Sequence, residues 1–181
     1  MEGDSVSDRK PAGGKQLVAR HRDALRPVDS AHVVITKTRR ELVLYSAGSE
    51  VCKYRIGLGL RPAGDKMREG DGCTPEGEFY VCNHNTESKY KLSLGLSYPS
   101  AEDAARGLAA GLITQEQCDA IVRANAARGI PPWDTPLGGE ICIHGGGARR
   151  DWTKGCIALD DADICELFEL VPDGTPVTIK P

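Results

Sequence analysis

Two short segments near the C-terminal end carry the residue types that can do chemistry together. Glu140-Ile-Cys-Ile-His144-Gly145-Gly146-Gly147 reads as a short apolar strand that delivers a histidine into a glycine-rich loop. Eight residues separate that histidine from Thr153-Lys154-Gly155-Cys156-Ile157-Ala158-Leu159. A neutral imidazole takes the proton of a thiol, and the thiolate attacks a carbonyl carbon. Small residues before the thiol let a substrate carbonyl approach backbone N–H donors. This is the minimum equipment for acyl transfer through a thioester, with Cys156 as candidate nucleophile and His144 as candidate base. Gly155 and the Cys156 N–H are candidates for an oxyanion hole. Gly146 leaves space and backbone donors beside the histidine ring. Thr153 is a candidate to hydrogen-bond the loop or the substrate, the two roles being equally open to a hydroxyl there. Arg149 and Arg150 are candidates to meet a substrate carboxylate, because a guanidinium fork matches that shape. Either one alone is also what a solvated loop charge looks like.

A competing reading comes from another class of protein. Cys142 and His144 are two apart on one strand and share a face, so with Cys156 they could form a metal-binding or redox module. A closed zinc site asks for four ligands, and no second close pair of cysteines or histidines is visible. Acyl transfer is the stronger reading, with no metal and no cofactor expected.

The elements that must position these residues follow from pattern. Ala31–Lys37, Leu42–Ser46 and Val51–Gly57 read as strands, with Ala47-Gly48-Ser49 as a hairpin turn. Gly59 to Gly72 is a polar, glycine-rich loop. Gly77–Asn83 and Lys91–Gly95 are further strands. Ser100-Ala-Glu-Asp103 resembles a capping box opening a helix over 101–110. Thr114-Gln-Glu-Gln117 opens a second helix that runs to Arg128 and stops at Gly129 before Pro131-Pro132. Cys118, Ile121 and Val122 fall on one face of it. The stretch 97–136 is thus a helical insertion, a candidate wall or lid by its place just before His144. Ile141–His144 returns to the sheet. Asp160 or Asp161 caps a third helix with Ile164, Leu167, Phe168 and Val171 inward, and Pro176–Ile179 is the last strand. The fold expected is mainly β with helices, a mixed sandwich or barrel.

Composition bounds the rest. The chain has 181 residues, 40% hydrophobic and 27% charged, which suits one domain with a real core. Residues 1–30 read as a polar leader broken by Pro11, Gly13, Gly14 and Pro27, and residues 31–181 as the domain. The net charge of −3 and the absence of a basic run argue against nucleic-acid binding. No apolar run approaches a membrane span, and residues 1–30 hold no signal-peptide core. Seven cysteines occur without a Cys-x-x-Cys pair. Most are expected to be small, reduced, buried hydrophobes. Nothing in the residues specifies an oligomeric state.

The paired segments resemble the YkuD-type L,D-transpeptidases of bacterial cell-wall synthesis. The resemblance extends to Val33–Gly59 with its turn at Thr38–Glu41, to Glu69–Phe79 with Thr74-Pro75-Glu76-Gly77, to Trp133–Gly139 and to Val171–Val177. It covers roughly residues 31 to 180. The commonest version of the family has an arginine two residues after the cysteine. This chain has Ala158 there and resembles a subgroup with Gly-Cys-Ile-Ala-Leu, a likeness that takes in Ser88-Lys-Tyr90 and the helical insertion. The resemblance implies that Cys156 forms a thioester, that His144 is the base, and that the Gly145 carbonyl orients its ring. It also implies peptidoglycan stem peptides as partners and the periplasm or cell envelope of a bacterium as location. Some members with similar features hydrolyse wall linkages, so an L,D-carboxypeptidase or amidase is the alternative direction.

Overall fold

The computed structural model describes residues 28–181, so nearly all of the leader read over residues 1–30 lies outside the described residues. The order is β1 (Ala31–Thr36), β2 (Glu41–Ser46), β3 (Ser49–Arg55), β4 (Gly77–Asn85), β5 (Ser93–Leu96), α1 (Ala101–Ala109), α2 (Gln115–Ala126), β6 (Cys142–His144), β7 (Ile157–Ala158), α3 (Asp161–Leu170) and β8 (Pro176–Lys180). The strands form one sheet in the order β3-β2-β1-β8-β4-β5-β6-β7. The β1–β8 and β6–β7 pairs are parallel. The other neighbours are antiparallel.

The sheet curls until its ends meet. Just past β3, Gly57 bridges Ala158 and Gly59 bridges Thr153 at the far edge. A Cβ on Gly57 would come 2.4 Å from the Arg150 carbonyl oxygen, so only glycine lets the two edges approach this closely. The result is a mostly β half-barrel with three helices, as the sequence pattern predicts. Period-two alternation puts Ala31, Val33 and Ile35 of β1 inward against Leu42, Leu44, Val177 and Ile179. Ile164, Leu167 and Leu170 of α3 close the core from one side. Each such aliphatic side chain contributes about 1.5–3 kcal/mol when fully buried. The β2–β3 hairpin turns through Ala47 (φ 47°) and Gly48 (φ 82°), the two-residue turn with both central φ positive that suits strand twist.

The helical insertion is built from local signals. The Ser100 hydroxyl accepts from the Asp103 N–H, and the Asp103 carboxylate accepts from the Ser100 N–H. Thr114 and Gln117 repeat this reciprocal cap on α2. Ala104, Ile113, Cys118, Ile121 and Leu137 form a small core separate from the main one. A Cβ on Gly107 would sit 2.8 Å from a Leu137 methyl, which shows how closely α1 approaches the returning chain. Val122, expected on the buried face, is 40% exposed. At 100° per residue it lies at the edge of the stripe that Cys118 and Ile121 define, and the small core does not extend that far.

The long loop between β3 and β4 is held by three cations, two of them buried. Lys37 is 2% exposed and donates to the Thr74 carbonyl and to Glu76, both at 2.8 Å. Lys66 donates to Asp71 at 3.0 Å, and Arg106 of α1 pairs with Asp65 and Asp103. The loop therefore reaches the site as a fixed surface.

Candidate active site

The short parallel pair β6–β7 places the chemistry. Its register sets Ile143 beside Ile157 and His144 beside Ala158. One step back along the same ladder, Cys142 falls beside Cys156. Residues two apart on a strand share a face, so His144, Cys142, Cys156 and Ala158 belong to one side of this edge. Ala158 presents only a methyl next to the histidine.

His144 is 4% exposed and its orientation is fixed from three directions. Its Nδ1 lies 2.6 Å from the Gly145 carbonyl oxygen, so Nδ1–H donates to that oxygen and Nε2 is left for the thiol. Tyr90 stacks on the ring with centroids 4.5 Å apart and planes 20° from parallel. Trp152 meets it edge-on at 5.6 Å and donates its indole N–H to the Gly147 carbonyl.

Gly145 is required by close packing: a Cβ there would sit 2.6 Å from both Asp161 Oδ1 and the Tyr90 carbonyl oxygen. The glycine loop is tied down by two carboxylates. Asp161 accepts from the Gly146 N–H at 2.8 Å, and Asp160 accepts from the Ala148 N–H at 3.0 Å. Asp160 stands at the N-cap position of α3, yet its side chain makes no cap bond to the helix. Its carboxylate serves the loop instead, because that loop turns with buried N–H groups that need acceptors.

Cys156 is half-buried. Its thiol is held well below the ordinary cysteine range, first by a hydrogen bond from the Cys142 thiol and then by one from His144; burial opposes both. Cys142 moves the other way. Its donation to Cys156 and its burial keep it protonated. Both sulfurs also lie near one acceptor, the Glu140 carbonyl oxygen, at 3.4 Å for Cys142 and 3.5 Å for Cys156.

The loop before Cys156 is braced by Thr153. Its hydroxyl donates to the Cys156 carbonyl at 2.7 Å and accepts from the Gly155 N–H at 3.1 Å. The Gly155 N–H is therefore engaged, as is that of Gly146. The Cys156 N–H meets no protein acceptor among the described residues. Gly155 itself has φ +136°, and a Cβ on it would stand 2.8 Å from the Cys73 carbonyl oxygen. The fixed loop after β3 thus forms the floor under the thiol.

An open cavity of about 590 Å³ adjoins the site, lined by Gly146, Gly147, Arg149, Arg150, Trp152 and Asp160. Trp152 links the two, since it lines the cavity and touches His144. The insertion over 97–136 supplies none of the residues lining this cavity. Arg149 and Arg150 are exposed at the cavity wall. Among the described residues, no group of three or more His, Cys, Asp or Glu side chains is placed to hold a metal ion. None of the described helices is long and apolar enough to cross a membrane.

The sequence pattern singles out Cys156, His144, Gly145, Gly146, Thr153, Gly155 and Arg149, and the structure gathers all of them around one edge. It misses the bracing roles of Tyr90, Trp152, Asp160 and Asp161. Of the aromatic pair only Trp152 had a faint signal, since a large ring follows the Gly145–Gly147 loop in a chain with only 5% aromatics.

Known proteins share this fold. The chain superposes on the helical cell shape determining protein Pgp2 from Campylobacter jejuni with a TM-score of 0.59 and 26% identity, covering 83% of this chain and 47% of that one. Bd1075 from Bdellovibrio bacteriovorus matches with a TM-score of 0.55 and 18% identity, covering 84% of this chain and 48% of that one. The chain therefore spans about half the length of these structures. No curated protein matches it. The family model of the YkuD L,D-transpeptidase catalytic domain matches residues 30–179, which is nearly everything the structure describes, and the chain belongs to that family.

Proposed function

We propose that this chain is a peptidoglycan L,D-transpeptidase of the bacterial cell envelope that works through a thioester on Cys156. The observation that carries the reading is the pairing of a depressed Cys156 thiol with a His144 ring locked by the Gly145 carbonyl. A backbone oxygen here does the orienting that a carboxylate does in Ser-His-Asp sites.

The Cys156 thiolate attacks the carbonyl carbon of the third, L-centred residue of a stem tetrapeptide. A C–S bond forms and the oxygen becomes an oxyanion, which the Cys156 N–H faces. Gly155 leaves room for that approach. The bond to the terminal D-Ala then breaks, and His144 Nε2–H gives its proton to the departing amine. The side-chain amine of a second stem attacks the thioester, His144 takes its proton, and the thiolate is released with a new amide. Arg149 and Arg150, at the wall of the adjoining cavity, offer guanidinium groups to carboxylates of either stem. Water in place of the amine gives a tripeptide from the same intermediate.

Incubation with purified disaccharide-tetrapeptides, with products resolved by mass, tests the reading. Cross-linked dimers support transpeptidation, and tripeptides alone move the assignment to an L,D-carboxypeptidase. Unchanged tetrapeptide would overturn both.

A further inference from the structure

The reaction proposed above uses one thiol, yet the site holds two. Two observations place Cys142 against Cys156. The β6–β7 register puts them side by side on a parallel ladder, where neighbouring strands run about 4.8 Å apart. Paired residues of that ladder point to the same face, and the two sulfurs lie 3.4 Å and 3.5 Å from the same Glu140 carbonyl oxygen. Disulfides form between residues whose Cα atoms are about 4.4–6.8 Å apart, and the inter-strand spacing of a parallel ladder falls inside that range. All seven cysteines are free thiols in this structure, so the pair is in its reduced state.

We infer that Cys142 and Cys156 form an oxidisable dithiol, in which Cys142 resolves peroxide damage to the nucleophile by closing a reversible disulfide. The inference takes the identity of the nucleophile from the reading above. The steps balance with a peroxide as oxidant. The Cys156 thiolate attacks one peroxide oxygen, the O–O bond breaks, and Cys156 becomes a sulfenic acid with release of water. The Cys142 thiol then attacks the Cys156 sulfur, a second water leaves, and the S–S bond forms. A dithiol reductant restores both thiols and is itself oxidised to a disulfide. The chain loses acyl transfer while the bond stands, but it avoids the sulfinic and sulfonic acids that no thiol reverses. Cys82 lies on β4, which β5 separates from β6 in the sheet, so it is not laddered against Cys156.

The test is a peptide map after brief exposure of the purified protein to hydrogen peroxide. A tryptic digest should yield one cross-linked species joining the peptide that holds Cys142 to the peptide that holds Cys156. Fragmentation must assign the bond to Cys156, since Cys165 shares that peptide. Dithiothreitol should return at least about nine-tenths of Cys156 alkylation by iodoacetamide. In Cys142→Ser and Cys142→Ala the same exposure should leave Cys156 as sulfinic or sulfonic acid, with no recovery. Cys82→Ser should behave as the parent. A bond from Cys156 to any other cysteine, or irreversible oxidation of Cys156 in the parent protein, would overturn the inference. The map needs no wall substrate, so failure of the transpeptidase reading and failure of the dithiol show up in different measurements.

Discussion

The helical insertion and the β6–β7 edge are neighbours in sequence and are built on opposite principles. The insertion closes its accounts locally. Each helix begins with a reciprocal cap within four residues, and its small core is almost self-contained. The β6–β7 edge closes nothing by itself. Two short strands depend on β5, on the segment after β3, on the Tyr90 backbone and on the acids of α3. Its glycines are fixed by contacts from far along the chain. A region assembled this way keeps polar groups aimed outward, because the surrounding structure holds them there. The difference teaches where substitution should cost stability and where it should cost chemistry.

The largest expected effect lies at the edge. Cys156→Ser replaces a polarizable thiolate with a hydroxyl that His144 alone must deprotonate, and turnover should fall by roughly a thousandfold or more with the melting temperature unchanged. Retained turnover would dissolve the contrast between the two regions. His144→Ala should cost roughly a hundredfold or more at neutral pH, with partial recovery in alkaline buffer where the thiolate forms unaided. A residual rate independent of pH would remove His144 from the role of base.

Cys142→Ala sharpens the contrast with a smaller signal. The Cys142 S–H stabilises the Cys156 thiolate, so the parent protein should keep alkylating at Cys156 as pH falls below the ordinary thiol value of about 8.5. Loss of that donor favours the protonated form, and the midpoint of the pH–alkylation curve should move upward. An unmoved midpoint would show that the neighbouring thiol does not tune the nucleophile. The smallest effect belongs to the insertion. Thr114→Ala removes a helix cap and should lower stability by about 1 kcal/mol in denaturant titration, with turnover per folded molecule unchanged. Lost turnover there would mean that α2 is coupled to the site after all.

The two regions were also unequally legible. Ser100, Asp103, Thr114 and Gln117 name their helices outright, since a cap is a pattern over four residues. The strand ends near the site are displaced by one or two residues from the reading, and β7 was not foreseen. A two-residue strand has no periodicity of its own and exists because β6 and Gly57 flank it. Cys156 and His144 were visible because a thiol and an imidazole among glycines have few structural uses. The carboxylates of Asp160 and Asp161 read as helix caps, and nothing within their own segment says that a loop twelve to fifteen residues earlier takes them. Val122 was placed inward by spacing alone, which records that a residue can face a core but not how wide the core is.

The central claim is that Cys156 carries the acyl group. Intact-protein mass spectrometry after rapid mixing with a stem tetrapeptide, quenched in acid to preserve thioesters, reads it directly. The account predicts one added tripeptide acyl group, mapped by fragmentation to Cys156, released by hydroxylamine and absent from Cys156→Ala. An acyl group on another residue, or product formed at full rate by the variant without Cys156, would contradict it.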